Sequence, residues 1–301
     1  MRNLNDIFNI DASNNVSSQL EIAVESLMDG DSEPAYEHLT NLLYDELYEI
    51  PIYEGPSMNL YRFARLVVLH KGTVNECKPI SNDIKNNCLT FGNPKNFNDP
   101  MDPILREWLN LRKKRSHNTR DKKLFKLLTN CIDNLRISCL SKKDPKSNDV
   151  FLNPLMWSHY ADSHKGICIQ YEITKDALEA HNNDEHILRI GSVKYRNSKT
   201  MSDYITLDNA LLAKGECWNY EQEERLIYYC KNNIKTTRQE NKQNNGYISL
   251  RGFKITAIFL GYRISADDKR EVIEAVKERN IDLYQVGFDE NDITKLKATK
   301  L

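Results

Sequence analysis

The chain predicts an α+β fold, with a mixed or antiparallel sheet core, flanking helices and an N-terminal helical hairpin. Two observations lead there. Short β-rich runs are scattered among helical segments instead of alternating with them, and no repeat period runs through the sequence. A third bears on chemistry. No GxGxxG, Walker loop, GxSxG or HExxH occurs, and only eleven glycines serve 301 residues, which argues against a Gly-rich phosphate cradle.

Residues 16–50 read as the hairpin. Leu20, Ile22, Ala23 and Leu27 form one apolar face at helical spacing, and Ala35, Leu39, Leu42, Leu43 and Leu47 form the next. Gly30 and Asp31 divide the helices, Ser32 is the expected cap of the second, and Pro34 is tolerated in its first turn. Asp45, Glu46, Glu49 and Glu54 make an acidic strip, most simply a solvated face, with a partner surface as the alternative. Residues 1–55 form the helical extension and residues 56–301 the α+β domain of catalytic type.

Leu60–His70 begins as strand. Phe91–Pro103 is loop, punctuated by Pro94, Pro100 and Pro103, with Phe97-Asn98-Asp99-Pro100 as a turn. Ile104–Asn134 is mainly helical and carries a basic cluster, Arg112, Lys113, Lys114, Arg115, Arg120, Lys122 and Lys123, most simply a solvated face. Ile137–Leu140 is a short strand, and Val193–Arg196 a strand leaving the core. Residues 231–245 are polar and form an excursion between two strands. Ile255–Leu260 is a strand, Ala266–Arg279 a helix capped by Ser265, and Ile281–Val286 the closing strand.

Composition narrows the class. Forty per cent apolar and 28% charged residues are ordinary for a globular protein, and a net charge of −1 supplies no global field towards nucleic acid or membrane. Seven scattered cysteines without a CxxC pair fit neither a disulfide framework nor a zinc ribbon. With no apolar leader and no spanning stretch, the chain predicts a soluble cytoplasmic protein with no membrane partner.

Asn153–Ile173, NPLMWSHYADSHKGICIQYEI, is the densest segment in chemistry. Asn153 caps a short helix that opens on Pro154, and Gly166 is expected to end it in a left-handed conformation. A strand follows, with Ile167, Ile169 and Tyr171 on one face and Cys168 and Gln170 on the other. Trp157, His159, Tyr160, Asp162, His164 and Lys165 crowd this short helix and its exit, as a site-lining element would. Met156 with Tyr160, and Trp157 with Ala161, are one helical turn apart, so core packing accounts for part of the pattern. His159 and His164 miss the i, i+4 spacing that aims two ligands at one metal, and no metal is expected.

The second cluster is Trp218, Tyr220, Glu221, Glu223 and Arg225. In extended backbone Glu221, Glu223 and Arg225 share a face, while Glu224 points away to solvent. Two adjacent carboxylates repel, so one keeps its proton nearer neutrality unless Arg225 compensates. Such a pair can polarise a hydroxyl or stabilise a developing cation; the plainer alternative is an exposed strand edge with an ordinary ion pair.

The run MWSHYADSHKG followed by a strand resembles the signature of a bacterial protein family of unknown function, DUF2971. LYRF (Leu60–Phe63), FNDP (Phe97–Pro100), ISCLS (Ile137–Ser141) and KGECWNYEQEERLIY (Lys214–Tyr228) fit it in order, so the resemblance extends over Leu60–Gln285 and leaves the first 59 residues outside.

A second resemblance bears on activity. Arg62 on an early strand, Ser138 and Ser141 around a central strand, and Glu-x-Glu before a later strand resemble the order found in ADP-ribosyltransferases of the arginine–serine–glutamate type. The chain offers Ser138-Cys139-Leu140-Ser141 where that pattern has Ser-Thr-Ser. The resemblance implies an ADP-ribosyltransferase-like fold and NAD as substrate. Arg62 would contact the NAD phosphates, Ser141 the nicotinamide pocket, Glu223 the ribose and Glu221 the acceptor. Tyr160 or Trp157 would stack on the nicotinamide ring, and His159 would position a phosphate or ribose hydroxyl.

The leading functional expectation is therefore transfer of ADP-ribose from NAD to a macromolecular acceptor, protein or nucleic acid. A toxin or phage-defence effector of that kind would have a neutralising partner protein. Two alternatives stay open: a nuclease-like or nucleic-acid-binding defence effector using the basic helix and the histidines, and a non-catalytic module that senses a small ligand.

Overall fold

The computed structural model describes residues 22–50, 55–66, 79–97, 119–143, 149–197, 207–231 and 247–301, with residues 53, 102, 103, 109, 110 and 114. Helix α1 (22–28) turns at Gly30, whose φ of +87° favours glycine, into α2 (Ser32–Tyr48). The cap of α2 is Asp31 rather than Ser32: its carboxylate accepts from the Glu33 amide at 3.2 Å. Then come β1 (Ser57–Ala64), α3 (Pro79–Asn86), β2 (Cys88–Phe91), α4 (Thr119–Ile132), β3 (Leu135–Lys142), α5 (Pro154–Tyr160) and β4 (Ile167–Thr174). The chain continues through α6 (Lys175–Glu179), β5 (His186–Ser192), β6 (Lys194–Arg196), α7 (Leu207–Leu212), β7 (Ala213–Gly215) and β8 (Glu223–Cys230). It ends with β9 (Ile248–Arg251), β10 (Lys254–Leu260), α8 (Ala266–Val276), β11 (Asp282–Asp289) and β12 (Asp292–Lys300).

Eight strands form one sheet in the order β12-β11-β10-β4-β1-β3-β8-β5. Every neighbouring pair is antiparallel except β10 with β11, which α8 connects as a crossover. The sheet is thus mixed and the class α+β. Two small pairs, β2 with β9 and β6 with β7, stand apart from it.

The two faces of the sheet are covered differently. On one, Leu135, Ile137, Ile227, Tyr229 and Ile187 meet α2, α4 and α7 in a single apolar cluster. Farther along that face Tyr61, Phe63, Cys168 and Phe259 meet Met156 and Trp157 of α5. The opposite face packs Leu60, Leu140, Tyr171, Leu188 and Leu226 against β2, α3, α6 and α8. Ile167, Ile169 and Tyr171 share that second face, as their alternation predicts, but Cys168 on the first is buried too. Helix α2 is integral to the first cluster, because Leu39, Leu42, Leu43 and Leu47 are all at most 1% exposed there.

Several boundaries move. The strand expected at Ile137–Leu140 runs Leu135–Lys142, and the helix capped by Ser265 stops at Val276 instead of Arg279. The strand expected to close the chain is followed by β12, an edge strand in which Leu296 is the buried residue. Asn98, Asp99 and Pro100 of the expected turn, Arg112, Lys113 and Arg115 of the basic cluster and residues 232–246 lie outside the described residues; Lys114, Lys122 and Lys123 are exposed. Among the described residues no helix is long and apolar enough to cross a membrane.

Candidate active site

Three adjacent strands place Tyr61, Ser141 and Glu223 in one row: Tyr61 pairs with Ser141, and Ser141 with Glu223. Residues opposed across antiparallel strands share a face. The row floors a cavity of about 280 Å³ between the two helical covers of that face. Phe63, Phe97, Met156 and Tyr160 wall it, and Asp102, Lys214 and Glu221 bring charge to it.

Local backbone explains how these side chains converge. Asn153 caps α5 as expected, accepting from the Leu155 amide at 3.0 Å. The exit of α5 differs from expectation: Asp162, Ser163 and His164 take the positive φ values, 50°, 53° and 69°. Glycine is needed at 166 for a different reason, since a Cβ there would lie 2.1 Å from the Ala64 carbonyl oxygen of β1. This close approach seats α5 against the sheet and aims Tyr160 into the cavity.

Glu221 is not on the strand. It ends a 3₁₀ turn, Glu216–Glu221, and Gln222 adopts a left-handed conformation (φ 46°) before β8 begins at Glu223. The kink, not a shared strand face, turns both carboxylates towards one cation. Glu223 and Arg225 do share a face of β8, where the guanidinium Nε donates to Glu223 at 2.8 Å. Gly191 lies across from Arg225; a Cβ there would meet the Leu212 side chain, so glycine lets α7 close over the guanidinium, which donates to the Leu211 carbonyl at 2.6 Å.

Lys214 is the centre of the charge cluster. Its Nζ lies 2.5 Å from Glu221, 3.0 Å from Glu223 and 3.2 Å from Asp102. Arg225 completes the ring, 2.5 Å from Asp102. Burial alone lowers the pKa of Lys214, but Glu223, Asp102 and Glu221 outweigh it and hold the ammonium charged. Burial raises the Glu223 carboxyl, yet Arg225 and Lys214 prevail and hold it down at about 2. Glu221 goes the other way: burial lifts it to about 6 against Lys214 and the hydroxyl that Tyr160 donates to it. Tyr160 is itself raised, by burial and then by that bond. Two carboxylates on one cation therefore have opposite shifts, the pattern of an acid–base site. Buried ion clusters seldom stabilise a fold better than apolar side chains of equal volume, so stability alone gives little reason for this one.

The expected site residues divide. Ser141, Tyr160, Glu221 and Glu223 come together around the cavity. Arg62 does not: one residue from Tyr61, it faces the other side of the sheet, donating to Asp83 at 3.0 Å and to the Thr90 carbonyl at 2.9 Å. Trp157 is fully buried, its indole N–H donating to the Phe151 carbonyl at 2.7 Å and its ring edge-on to Phe63, so it is core and has no face for a ligand. His159 does not line the cavity: it is exposed and bonded through Nδ1 to the Tyr220 hydroxyl at 2.8 Å. Ser138 points to the opposite face, as its spacing from Ser141 requires. Glu224 is buried, not solvated, accepting from Lys142 and Ser192 at 2.5 Å each.

Sequence reasoning missed Lys214, Asp102, Tyr61 and Phe63. Tyr61 and Phe63 alternate with Arg62, and period two alone assigns them to the opposite face; nothing local marks Lys214 or Asp102. Among the described residues no group of His, Cys, Asp and Glu side chains is placed to hold a metal ion; the three carboxylates surround the Lys214 ammonium.

Comparison with known proteins adds one relation. Neither the curated proteins nor the solved structures contain a match to this chain. A family model described as protein of unknown function (DUF2971) matches residues 156–295, beginning within α5 and ending in β12. LYRF, FNDP and ISCLS precede the matched span, although β1 and β3 lie in the same sheet. Over residues 156–295 the chain is similar to the DUF2971 family.

Proposed function

We propose that the cavity binds the nicotinamide–ribose end of NAD, and that the protein breaks the bond between them and passes ADP-ribose to an acceptor, as an ADP-ribosyltransferase-like enzyme. The observation that carries this reading is the opposite shift of Glu221 and Glu223 beside one aromatic-walled cavity. Breaking the bond develops oxocarbenium charge on the ribose. A carboxylate held ionised at any working pH, as Glu223 is, stabilises that charge more in the transition state than in the ground state. Glu221, poised near 6, takes the proton that an attacking nucleophile gives up. Tyr61, Phe63 and Tyr160 offer apolar ring surface for the nicotinamide and exclude water.

The size of the cavity supports the same end of the molecule. Ligand pockets run from roughly 300 to 1,000 Å³, and about 280 Å³ suits a nucleoside-sized fragment better than a dinucleotide. With Arg62 on the far side of the sheet, the proposal gives it no contact with the NAD phosphates and rests on the nicotinamide–ribose end alone.

A second reading has its own support. The carboxylates of the cluster are already paired with Lys214 and Arg225, as suits a receptor that binds without turnover. Incubating the full chain with NAD labelled on the ADP-ribose moiety distinguishes the two. Nicotinamide release with label transferred to an acceptor supports the enzyme, and saturable NAD binding without release supports the receptor. Absence of both binding and release removes NAD from this site.

A further inference from the structure

Three aromatic rings gather beside Tyr160 and Lys214, two of the residues that line the cavity. Trp218 and Tyr220 come from the 3₁₀ turn Glu216–Glu221, and His159 from α5. Ring centroids lie 6.3 Å apart for His159 and Trp218, 6.0 Å for His159 and Tyr220, and 6.1 Å for Trp218 and Tyr220. The group is braced. The Tyr220 hydroxyl is bonded to His159 Nδ1 at 2.8 Å, and the Asn153 side-chain amide donates to the Tyr220 carbonyl at 3.2 Å. His159 is exposed, and Trp218 and Tyr220 are half-buried.

Trp218 reaches the cavity's charge cluster itself, and His159 packs edge-on to Tyr160 at 6.1 Å. His159 precedes Tyr160, Tyr220 precedes Glu221, and the Lys214 ammonium lies 5.1 Å from the centroid of Trp218. The rings therefore flank the Tyr160–Glu221 pair. Glu223 is hemmed in by Arg225 and the sheet.

We infer that Trp218, Tyr220 and His159 form the acceptor subsite of the proposed transferase, and that its occupant is an unpaired base of a nucleic acid. The inference rests on the transferase reading. A side-chain nucleophile such as a serine hydroxyl has no use for an exposed aromatic cluster, whereas a base stacks on one ring and meets the inclined neighbours at its edge, and every base has a π face. A lysine or arginine acceptor is disfavoured, because Lys214 already occupies the cation-attracting surface of Trp218 and already pairs with Glu221. A base in a duplex keeps its faces stacked on its neighbours, so the acceptor is unpaired.

The transfer balances. The C1′–N bond of NAD breaks and its electron pair leaves on nicotinamide, neutralising the pyridinium. A lone pair on a ring nitrogen or exocyclic group of the base forms the new bond to C1′. The proton displaced from the base passes to the Glu221 carboxylate.

The test uses the full chain and fluorescently labelled mixed-sequence decamers of single-stranded DNA and RNA, with the duplex decamer as control. Binding is read by anisotropy for the parent, Trp218→Ala and Trp218→Phe. The single strand is expected to bind the parent, with Trp218→Ala at least roughly tenfold weaker and Trp218→Phe within roughly threefold, since phenylalanine keeps a stacking face and reports on folding. Equal affinity of the alanine variant, equal affinity for duplex, or no single-strand binding by the parent overturns the inference. The parent is then given labelled NAD with the same oligonucleotides. Label on the single strand supports the acceptor assignment. Nicotinamide release with label on protein only overturns it and leaves the transferase standing. Trp218-dependent binding without nicotinamide release overturns the acceptor role together with the transferase reading.

Discussion

Glu221 and Glu223 meet on a single ammonium, 2.5 and 3.0 Å from Lys214 Nζ, yet one carboxyl is lifted to about 6 and the other held at about 2. Arg225 makes the difference. It bonds Glu223 through Nε and Nη2. The second neighbour of Glu221 is instead the neutral hydroxyl of Tyr160.

Replacing Glu223 by Gln keeps the size and removes the charge. NAD affinity should change by no more than a few-fold, while nicotinamide release falls by roughly 10²-fold or more, the scale on which one preorganised electrostatic contact acts. Glu221→Gln should spare NAD hydrolysis and impair transfer. Steady-state nicotinamide release and label transfer for both variants check this. Parent rates in both would exclude the pair from catalysis.

The raised carboxyl of Glu221 sets the pH dependence of transfer. As a base it works deprotonated, so the rate should fall as pH drops through about 6 and level off above it. For stability the signs oppose. Glu223, held at about 2 when folded, contributes stability that is present above the ordinary carboxylate range and lost as pH falls towards 2. Glu221 binds its proton more readily folded than unfolded, so its contribution is present at low pH and lost as pH rises through about 6. A pH–rate profile in which Glu221→Gln retains the acidic limb would assign that limb to another group.

Lys214 is the member whose loss should couple both effects. Lys214→Met keeps an apolar stem of similar length but leaves Asp102 and Glu223 with Arg225 alone and Glu221 with only the Tyr160 hydroxyl. Breaking a buried pair from one side costs about 3–5 kcal/mol, and removing the cation beside Glu221 should move the acidic limb above 6. Thermal melting and the pH–rate profile report the two consequences separately. An unshifted profile in a destabilised variant would make Lys214 structural only.

Periodicity made some of this legible and hid the rest. Alternation assigned Ile167, Ile169 and Tyr171 to one face, and cap chemistry placed the starts of α5 and α8. Arg62 was misassigned because a charged residue between Tyr61 and Phe63 attracts a functional reading, although period two puts the aromatic pair on the other face. The meeting of Glu221 with Lys214 depends on a left-handed residue, Gln222, that no propensity marks. Strand β12 escaped notice because an edge strand that buries chiefly Leu296 has almost no apolar alternation.

The hairpin offers a prediction about domain structure. Leu39 on α2 is fully buried in the cluster that α4, α7 and the sheet share. Leu39→Ala should cost about 2–5 kcal/mol of the main unfolding transition, the range for a leucine deleted from a packed core. Chemical denaturation followed by far-UV circular dichroism measures it. An unchanged midpoint, or a separate early transition for the hairpin, would make residues 1–55 an independent unit.

Gly166 links the fold to the site most directly. A methyl group at this position would sit 2.1 Å from the Ala64 carbonyl oxygen, and that oxygen is backbone, so it has no side-chain rotation with which to yield. Gly261, just past the end of β10, repeats the constraint: a Cβ there would lie 2.2 Å from the His164 carbonyl oxygen. The turn after α5 is thus clamped between the ends of β1 and β10, and the clamp fixes the helix whose last residue, Tyr160, bonds Glu221. Gly166→Ala should push this turn outward, costing about 1–3 kcal/mol as overpacked positions do. It should also lengthen the Tyr160–Glu221 contact, so that Glu221 loses a donor to its charged form and its pKa rises further. The acidic limb of the pH–rate profile should then move above 6 while nicotinamide release at high pH stays near the parent rate. A destabilised variant with an unmoved limb would show that Tyr160 reaches Glu221 without help from this clamp.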